Sequence, residues 1–594
     1  HANLVLTNPD MLHFSVLPNH RRWSALLGGL RYVIIDEAHR YQGVFGAHVA
    51  QVLRRLRRLA AAHGAEPTIL LSSATAPNAA DFGGALIGEN RVEVVANSTA
   101  PVAARTVVLW QPSVSLARDT SRLLAGLTDD ATQTLAFVAS RAGAELTSLE
   151  AAELAAEPGR IASYRGGYLA MERRDLEAAL HTGEILGLAT TNALELGIDV
   201  SGIDAVLVSG FPGKLSAFWQ QAGRAGRAGK EALVVLLARE NPLDAYLLQH
   251  PELIFDAPVE AAICHPQNPH VLGPHLAAAA QEHPLTVADE RWFGPTALPL
   301  AAHLAAGKVL RDRGGTWYWT RLDRAVDHIN LRSTTPRPVE IIERSTGQVI
   351  GVVDPAAADR TVHQGAVYLH QGRSFVVTEL DIEERCAMVV AARNPWYTQA
   401  ESVQDIAVLR EQRSRPLGST TLHFGDVRLS WQVTGYLRRD ETTHEVLDST
   451  PLDCPEHTLT TQAVWWSVPE ALERELGWGS LQLGAAAHAA EHTSIGLLPA
   501  FAPCDRWDIG GVSTARHPDT GLATVFVHDG LPGGAGFAAR AHEVAEKWLA
   551  ATLERLRTCR CETGCPACVV SPKCGNANQV LDKTAATELL LRIL

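Results

Sequence analysis

Tyr32-Val33-Ile34-Ile35 runs directly into Asp36-Glu37-Ala38-His39, and this junction decides the fold. A short apolar run that ends in charged residues is typical of a parallel strand, buried on both faces, with functional groups after its last residue. Similar bounded runs, separated by helical stretches, occur at 3–6, 68–71, 134–138, 185–189, 205–208 and 232–237. The pattern predicts two successive α/β units with parallel sheets, in which ligands bind at the carboxyl ends of the strands.

The pattern changes after the second α/β unit. Helical segments and the hairpin-like stretch Gly314-Gly315-Thr316-Trp317-Tyr318-Trp319 predict a winged-helix-like region, and the β-like alternation that follows predicts a small β-rich module. A mixed α+β segment with clustered cysteines ends the chain. At 594 residues the chain is too long for a single core. We predict five domains, at 1–98, 99–255, 256–330, 331–440 and 441–594.

The composition limits the class of protein. No run of about 18 apolar residues occurs, so a membrane span is not predicted. The net charge of −13 argues little against nucleic-acid binding, because basic residues can lie together in one channel. The first residue is His1, and no charged-then-apolar leader follows it. We interpret the chain as beginning at an internal position of a cytoplasmic protein.

Two motifs suit the chemistry of nucleoside triphosphates. At the end of a strand, Asp36 is suited to bind Mg²⁺ and Glu37 to polarise the attacking water. In Gln220-x-x-Gly223-Arg224-x-x-Arg227, two arginines three residues apart share a helical face, and their guanidinium groups suit phosphate oxygens. Taken singly, the acidic pair also fits a surface loop, and the arginine pair also fits a solvated helix start.

A third stretch lies between these two motifs. Thr190 and Thr191 follow a predicted strand, where hydroxyl groups are able to hold the phosphates of a nucleic-acid backbone. Asp199 is suited to contact a ribose or an arginine.

In this order the motifs resemble those of superfamily 2 DEAD/DEAH-box helicases. The resemblance covers residues 1–240 and is carried by Thr7-Asn8-Pro9-Asp10, Asp36-Glu37-Ala38-His39, Ser73-Ala74-Thr75, Phe137-x-x-Ser140-Arg141, Tyr164-Arg165-Gly166-Gly167-Tyr168, Thr190-Thr191-Asn192-Ala193-Leu194-Glu195-Leu196-Gly197-Ile198-Asp199 and the arginine motif. It implies two RecA-like domains that close on ATP and Mg²⁺, of which the first is incomplete in this chain. It also implies 3′-to-5′ movement along the nucleic acid.

The resemblance also implies roles for individual residues. The residues implied to contact the nucleotide and its Mg²⁺ are Asp36, Glu37, His39, Gly197, Asp199, Gln220, Arg224 and Arg227, of which Asp36, Glu37, Arg224 and Arg227 are implied to be catalytic. The residues implied to contact the nucleic acid are Thr7, Pro9, Asp10, Ser140, Arg141, Arg165, Thr190 and Thr191. Ser73 and Thr75 are implied to couple the nucleotide state to domain closure.

One departure from the family concerns the phosphate-binding loop. The stretch Gly-x4-Gly-Lys-Ser/Thr does not occur in the 594 residues, and Gly213-Lys214-Leu215-Ser216 has the wrong spacing. Without that loop the backbone cradle for the phosphates and its lysine are missing. We therefore expect an N-terminally truncated chain that is inactive by itself, from a parent that is an ATP-dependent DNA helicase. A non-catalytic nucleic-acid-binding scaffold and an RNA-dedicated helicase are the alternatives.

Five of the nine cysteines fall within sixteen residues near the end of the chain. They are Cys559, Cys561, Cys565, Cys568 and Cys574. The close spacing favours a tetrahedral Zn²⁺ site over an iron–sulfur cluster or incidental thiols. Four thiolates are enough for one ion, and we predict that the last four bind it, because Cys561 and Cys574 flank the Cys565-x2-Cys568 knuckle. Cys559 is then the spare.

The residues before the cysteine cluster extend the resemblance. Cys504-Asp505-Arg506-Trp507-Asp508-Ile509-Gly510-Gly511 and the segment from His528 to Gly536 resemble the C-terminal zinc-binding domain of mitomycin-repair helicases and their RecQ-like fungal relatives. This resemblance covers about residues 450–590. It implies a role in DNA repair, a single-stranded or single-strand-tailed DNA partner, and a nuclease as a candidate protein partner.

Two weaker patterns are interpreted as structural. The first is a basic cluster in a predicted helix at 44–62, interpreted as a solvated face rather than a DNA contact: Arg54, Arg55, Arg57 and Arg58. The second is a set of tryptophans, interpreted as core or interface residues rather than platforms for bases: Trp317, Trp319, Trp465 and Trp466.

Overall fold

A computed structural model describes residues 2–73, 77–97, 104–165, 168, 170–195, 203–226, 231–332, 338–370, 373–441, 443, 445–502, 504–506, 508–576 and 578–594. Within these ranges, none of the helices combines the length and the apolar character that crossing a membrane requires.

The first unit consists of two parallel strands with helices packed against them. Its elements are α1 (Pro9–Met11), α2 (Ser24–Gly28), β1 (Tyr32–Ile35), α3 (Gly43–Ala62), β2 (Thr68–Leu71) and α4 (Ala79–Ile87). β1 pairs with β2 in parallel, with Tyr32 opposite Thr68 and Ile35 opposite Leu71. Both strands and the long helix between them occur where the sequence predicts them. Ile35 packs with side chains of α3 and α4 in a small apolar core.

Two expectations about this unit are wrong. Residues 3–6 form no strand, and Leu4 and Leu6 are 74% and 91% exposed. A strand needs a hydrogen-bonded neighbour, and within the described part of the chain β1 pairs with β2 alone. The two strands are also not buried on both faces, since Tyr32 and Ile34 are 63% and 67% exposed.

The second unit is a six-stranded parallel sheet flanked by helices. Its elements are β3 (Arg105–Trp110), α5 (Leu116–Asp129), β4 (Thr134–Phe137), α6 (Arg141–Leu154), β5 (Ile161–Tyr164), α7 (Ala170–Thr182), β6 (Gly187–Thr190), β7 (Ala205–Ser209), α8 (Leu215–Ala222), β8 (Ala232–Leu237), α9 (Pro242–Gln249) and α10 (Glu252–Phe255). The strand order is β3-β8-β7-β4-β6-β5. Every residue of β4, β6 and β7 is buried, which is why these strands read as bounded runs in the sequence. The two edge strands, β3 and β5, were not predicted.

The region after the second unit is helical with a small ribbon. Its elements are α11 (Pro269–Glu282), β9 (Leu285–Thr286), α12 (Glu290–Phe293), α13 (Ala297–Ala306), β10 (Leu310–Asp312) and β11 (Thr316–Trp319). β11 pairs antiparallel with both β10 and β9. Trp317 is 6% exposed and packs in one core with Leu276 and Phe293, so its predicted core role is confirmed.

A five-stranded mixed sheet follows. Its elements are β12 (Val339–Glu343), β13 (Gln348–Val353), α14 (Pro355–Thr361), β14 (Val367–His370), β15 (Arg373–Asp381) and β16 (Cys386–Ala391), in the order β13-β12-β16-β15-β14. Val339, Ile341 and Phe375 form its separate core with the inner face of α14.

The last unit is built on a long β-hairpin. Its elements are β17 (Trp396–Leu417), β18 (Thr420–Asp440), β19 (Val446–Pro451), β20 (His457–Ser467), α15 (Glu470–Leu476), α16 (Ser480–Leu497), β21 (Ile509–Thr514), β22 (Thr524–Asp529), α17 (Phe537–Glu543), α18 (Ala545–Thr558) and α19 (Lys583–Ile593). The sheet order is β17-β18-β20-β22-β21, with β19 also on β18, so strands from before and after residue 440 pair in one sheet. Trp465 and Trp466 are each 2% exposed, and their predicted packing role is confirmed.

The arginines of α3 do not form a solvated face. Arg54, Arg55 and Arg58 are buried, because α3 lies between α4 on one side and α11 on the other. The Arg55 side chain is fully buried and its Nε donates to Glu282 Oε2 at 3.1 Å. Arg58 Nε donates to Asp289 Oδ1 at 2.6 Å.

Carbonyl groups and imidazoles accept further hydrogen bonds from Arg54 and Arg55. Arg54 donates to the carbonyl oxygens of Ala85 and Leu86, at the end of α4, at 2.7 and 3.1 Å. Arg55 Nη1 lies 2.8 Å from His13 Nδ1 and 3.2 Å from His275 Nδ1. The basic cluster therefore joins the first unit to the helical region that follows the second.

We expect Arg55→Leu to destabilise the contact between α3 and α11 by about 3–5 kcal/mol, because Glu282 is left as an unpaired buried charge. Hydrogen exchange of the α3 amides measures this change. The double variant Arg55→Leu/Glu282→Leu should recover most of the loss, since both charges are then absent.

Arg540→Ala is the control, because Arg540 and Glu543 form an ion pair that is about half exposed on both sides. Its effect should stay below about 1 kcal/mol. Equal exchange rates in Arg55→Leu and the parent chain would contradict the importance of the buried pair.

Candidate nucleotide-binding cleft and candidate metal centre

Asp36 and Glu37 form a tight turn at the end of β1. Glu37 has φ +50°, in the left-handed region, which costs a non-glycine residue roughly 1–2 kcal/mol. The Glu37 N–H donates to Asp36 Oδ1 at 2.9 Å, and the Ser72 hydroxyl donates to the same oxygen. The Ala38 N–H donates to the Ser72 carbonyl at 2.8 Å. The end of β2 thus holds the turn, with the Asp36 carboxylate exposed and that of Glu37 partly exposed.

His39 joins the two α/β units. Its Nδ1 lies 3.2 Å from Ser73 Oγ, just after β2, and its Nε2 accepts from the side-chain amide of Gln220 on α8. Burial lowers the pKa of His39, against the opposing effect of the Glu37 carboxylate 3.5 Å away. A neutral imidazole that donates from Nδ1 and accepts at Nε2 satisfies both contacts. A displacement of Ser73 or Gln220 would therefore move His39, which is next to the carboxylate turn formed by Asp36 and Glu37.

Glu195 forms a second contact between the units. Its side chain is buried, and its Oε1 accepts a hydrogen bond from Arg40 Nη1 at 3.1 Å. Arg40 belongs to the first unit and directly follows His39 in the chain. Its Oε2 accepts from Gln221 Nε2 at 3.1 Å, and its backbone carbonyl accepts from the Arg224 guanidinium. The arginine motif, the stretch after β6 and the carboxylate turn therefore meet in one cleft.

Three predicted nucleotide contacts and one predicted coupling residue remain predictions. Gly197, Asp199, Arg227 and Thr75 lie outside the described residues. Arg224 is described and is buried, with its guanidinium against the Glu195 carbonyl. Its predicted contact with the γ-phosphate stays a prediction.

Three predicted nucleic-acid contacts lie along one edge of the second sheet. Ser140 and Thr191 follow β4 and β6 and cap the next helical turns, accepting from Gly143 N at 3.0 Å and Ala193 N at 3.5 Å. Arg165 follows β5, with its Nε 2.7 Å from a Glu145 carboxylate oxygen. Because β4, β6 and β5 are neighbours in a parallel sheet, these side chains share its carboxyl edge.

The remaining predicted contacts have varied surroundings. Asp10, beside Pro9 at the start of α1, pairs with Arg332 at 2.7 and 2.9 Å, and this arginine holds its pKa below the usual value. Thr7 and Arg141 are exposed. Thr190 is fully buried, with its hydroxyl donating to the Thr191 carbonyl at 3.1 Å. Contacts between these side chains and nucleic acid stay predictions.

Four cysteine side chains converge after α18. The Sγ–Sγ distances are 3.6 Å for Cys559 and Cys561, 3.5 Å for Cys559 and Cys565, 3.4 Å for Cys561 and Cys568, and 3.7 Å for Cys565 and Cys568. Sulfur ligands about 2.3 Å from a tetrahedral Zn²⁺ lie about 3.8 Å from one another. The four-cysteine cluster therefore fits one Zn²⁺.

Hydrogen-bond donors surround several thiols of this cluster. The Cys565 N–H donates to Cys568 Sγ at 3.3 Å, and Lys583 Nζ lies 3.4 Å from Cys561 Sγ. Burial acts to raise the pKa of Cys559, but the Cys561 N–H and Arg555 outweigh it and lower the pKa to about 6. Burial raises the pKa of Cys565 to about 11, and it also raises the pKa of Cys568. Zinc ligands must be deprotonated, so these donors suit the metal.

The predicted ligand set is wrong in one member. Cys559, expected to be the spare, belongs to the four-cysteine cluster, and Cys574 does not. Cys559 is the C-cap of α18, so the helix end carries its thiol to the knuckle. After Cys568 the chain instead brings Cys574 to α16, where its Sγ lies 3.6 Å from His488 Nε2.

Sequence reasoning missed His488 and His492 beside Cys574. The spacing His488-x3-His492 was visible in the sequence, and residues four apart on a helix share one face. The ligand atoms of both histidines and of Cys574 lie within 4.8 Å of one another.

Comparison with known proteins assigns the family. Four family models match consecutive parts of the chain: "DEAD/DEAH box helicase" at 1–82, "Helicase conserved C-terminal domain" at 117–229, "ATP-dependent helicase HRQ1, winged helix domain" at 264–334 and "MrfA Zn-binding domain" at 490–569. The chain is 34% identical over 585 residues to the uncharacterized ATP-dependent helicase YprA of Bacillus subtilis, covering 96% of this chain and 77% of YprA.

The chain belongs to the superfamily 2 DEAD/DEAH-box helicases. It is 29% identical over 632 residues to ATP-dependent helicase hrq1 of Schizosaccharomyces pombe, covering 100% of this chain but 59% of that relative. The crystal structure of the DUF1998 helicase MrfA bound to DNA and AMPPNP matches with a TM-score of 0.65 and 31% identity, covering 98% of this chain and 78% of that one.

These matches confirm the predicted fold class of this helicase chain. It has two RecA-like parallel-sheet units, then a winged-helix region, a small β-rich module and a zinc-binding domain. The predicted bounds of the five domains stay predictions. The zinc-binding family model ends at residue 569, one residue after Cys568, so it includes all of the four-cysteine cluster and excludes Cys574.

We expect Cys559→Ser to release the ion of the four-cysteine cluster and Cys574→Ser to retain it. The reason is that Cys559 supplies one of four converging thiolates, whereas Cys574 lies elsewhere. Co²⁺ in place of Zn²⁺ provides the measurement, because thiolate-to-metal charge transfer reports the number of sulfur ligands.

Cys454→Ser, a partly buried thiol outside both groups, is the matched control. A four-thiolate spectrum that survives Cys559→Ser but is lost in Cys574→Ser would show that the ligand assignment is wrong.

Proposed function

We propose that this chain carries the motor of an ATP-dependent DNA helicase or translocase that moves 3′ to 5′ and acts in DNA repair. The observation that supports this most is the position of His39, which contacts Ser73 in its own unit and Gln220 of the arginine motif in the other. A motor needs such a connection, because hydrolysis at one unit must change the position of the second.

The carboxylate turn is the proposed hydrolytic centre. Asp36 would hold Mg²⁺, which would neutralise charge on the phosphates of ATP. Glu37 orients the attacking water and accepts its proton, for which its partly exposed carboxylate at the strand end is suitably placed. Arg224 and Arg227 stabilise the transferred phosphate when the two units close, with His39, Gly197, Asp199 and Gln220 as further nucleotide contacts.

Domain closure is coupled to this centre through its hydrogen bonds. Ser73 and Thr75 follow β2, and Ser73 contacts His39 from within the first unit. Glu195 adds an ion pair across the cleft with Arg40. A change at the phosphates therefore reaches the second unit by two routes, one through an imidazole and one through a carboxylate.

Single-stranded DNA is the proposed track. The carboxyl edge that carries Ser140, Arg165 and Thr191 presents hydroxyl and guanidinium groups, which suit backbone phosphates and carry no base preference. Thr7, Pro9, Asp10, Arg141 and Thr190 are the further proposed contacts. Binding is then sequence-tolerant and salt-sensitive. The DNA in the related MrfA complex supports DNA over RNA.

Two further parts of the proposal concern the cellular compartment and a protein partner. The reduced cysteines of a metal cluster suit a cytoplasmic compartment. A repair role suits a nuclease partner, which would process the strand that the motor displaces.

The missing phosphate loop limits the activity of the chain by itself. No Gly-x4-Gly-Lys-Ser/Thr stretch lies within the 594 residues, so these residues do not supply the backbone N–H groups and the lysine that bind the phosphates in the family. We propose that the chain alone hydrolyses little or no ATP, and that activity is measured in a longer chain in which such a loop precedes residue 1.

In that longer chain, Glu37→Gln should bind ATP and lose DNA-stimulated turnover by about 10²–10⁴-fold, because general-base assistance is lost. Steady-state hydrolysis and nucleotide binding measure the two effects separately. Glu66→Gln, an exposed carboxylate in the same unit, is the matched control and should leave turnover unchanged.

Turnover of Glu37→Gln within a few-fold of the parent would remove Glu37 from its assigned role. A longer chain that binds DNA but never hydrolyses ATP would favour the scaffold alternative. Mg²⁺-dependent hydrolysis by the 594 residues alone would show that the loop is dispensable.

A double-mutant cycle tests the contact between His39 and Gln220. His39→Ala and Gln220→Ala should each reduce the stimulation of ATP hydrolysis by DNA, by about 5–150-fold if the coupling is of ordinary size. The double variant should be no worse than the more severe single variant, because both changes remove the same contact.

Gln348→Ala, an exposed glutamine at the start of β13, is the control. Losses that simply multiply in the double variant would show that the two side chains act independently.

A further inference from the structure

His488, His492 and Cys574 form a second group of metal-ligating side chains, which we call the His–Cys cluster. The histidines lie one helical turn apart on α16, and Cys574 lies in the segment that follows the four-cysteine cluster. All three ligand atoms are within 4.8 Å of one another, and His488 Nε2 is 3.6 Å from Cys574 Sγ. The two imidazole centroids are 4.3 Å apart, with the rings inclined at 66°.

The hydrogen bonds of both imidazoles orient the cluster. His492 Nδ1 lies 2.8 Å from the Val569 carbonyl oxygen, and His488 Nδ1 lies 3.2 Å from that of Val580. A carbonyl oxygen only accepts, so in both rings Nδ1 carries the proton and Nε2 keeps its lone pair. Metal-bound histidines almost always donate their other ring N–H to a carbonyl or carboxylate in this way.

We propose that the His–Cys cluster is a second metal site, with His488 Nε2, His492 Nε2 and Cys574 Sγ as ligands for a divalent transition ion of the Zn²⁺ class. Two imidazoles and one thiolate are ligands that Zn²⁺ takes in proteins, at about 2.0–2.3 Å. Ligands at these distances lie about 3.4–3.8 Å apart. His488 Nε2 and Cys574 Sγ are already at 3.6 Å, and since all three atoms lie within 4.8 Å, rotamer shifts of about 1 Å or less bring the set into place.

The fourth position faces the surface. Asn576 is exposed, and its Oδ1 lies 2.7 Å from Cys574 Sγ. Water or this amide oxygen completes a tetrahedral site there. A thiol–imidazole hydrogen bond would explain the contact between His488 and Cys574. It would not explain why both Nδ1 atoms are held by carbonyl groups while His492 also converges on the thiol.

The proposed site is adjacent to the four-cysteine cluster but separate from it. His492 and Thr493 contact the carbonyl groups of Val569 and Cys568, the latter at 3.3 Å from Thr493 Oγ1. The two clusters share no ligand. The second ion would tie the segment after the knuckle to α16, which belongs to the main core of this domain.

Metal counting on the full 594-residue chain tests the proposal. The protein is loaded with Zn²⁺, freed of loosely bound metal by desalting, and analysed for zinc per chain. We expect two ions in the parent chain and in the Cys454→Ser control, and one ion in both His492→Ala and Cys574→Ser. His492→Cys, which keeps a ligand at that position, should return the count to two.

The Co²⁺ spectrum distinguishes the two sites. The second equivalent should add the charge transfer of a single thiolate, and Cys574→Ser should remove this addition while the four-thiolate spectrum remains. A count of one zinc ion per parent chain would overturn the proposal. This measurement needs no variant, so the test does not depend on whether each variant folds. Two zinc ions in Cys574→Ser would overturn it as well.

Discussion

A carboxylate that is buried between two domains needs partners, because an unpaired charge out of water costs several kcal/mol. Glu195 is such a group, and its partners come from both sides of the cleft: Arg40 from the first unit, and Gln221 from the second. Arg40 directly follows His39, so neutralising Glu195 also fixes the carboxylate turn against the arginine motif. Because Arg40 is 45% exposed, the pair is weaker than a fully buried one, which leaves the cleft free to open.

Apolar runs and sequence distance explain which parts of the fold the sequence predicts. β1, β2 and β8 were predicted with their observed bounds, because each is a short run of mostly apolar residues with polar residues close to its ends. β5 reads Ile-Ala-Ser-Tyr and lies at the sheet edge, so it lacks that signature. The arginines of α3 were misjudged for a different reason. Periodicity identifies a charged face, but the carboxylates that neutralise it, Glu282 and Asp289, are more than 200 residues away in the chain.

Sequence distance also limits prediction of the sites. The carboxylate turn follows β1 and the arginine motif begins on α8, in two different units, so their meeting in one cleft was expected from the family resemblance and not from the topology of either sheet. Choosing four of five cysteines depended instead on the path of the chain. Even spacing favoured Cys574, but the end of α18 brings Cys559 to the knuckle, and Cys574 meets histidines 86 and 82 residues earlier in the sequence. The spacing of cysteines within a motif carries no information about a helix from a distant part of the sequence, such as α16, that packs against it.

The domain contacts divide the molecule into two halves that meet at the cleft. On one side, Arg55 and Arg58 bind the first unit to the winged-helix region through buried carboxylates. On the other, the zinc-binding domain packs on the second unit, where His250 Nε2 lies 3.0 Å from Glu554 of α18. The halves also meet away from the cleft, where Asn268 donates to the Pro532 carbonyl at 2.8 Å. The Asn268 contact joins neutral groups, whereas separating Arg55 from Glu282 would leave an unpaired buried charge, so closure of the cleft is accommodated more easily at Asn268 than between α3 and α11.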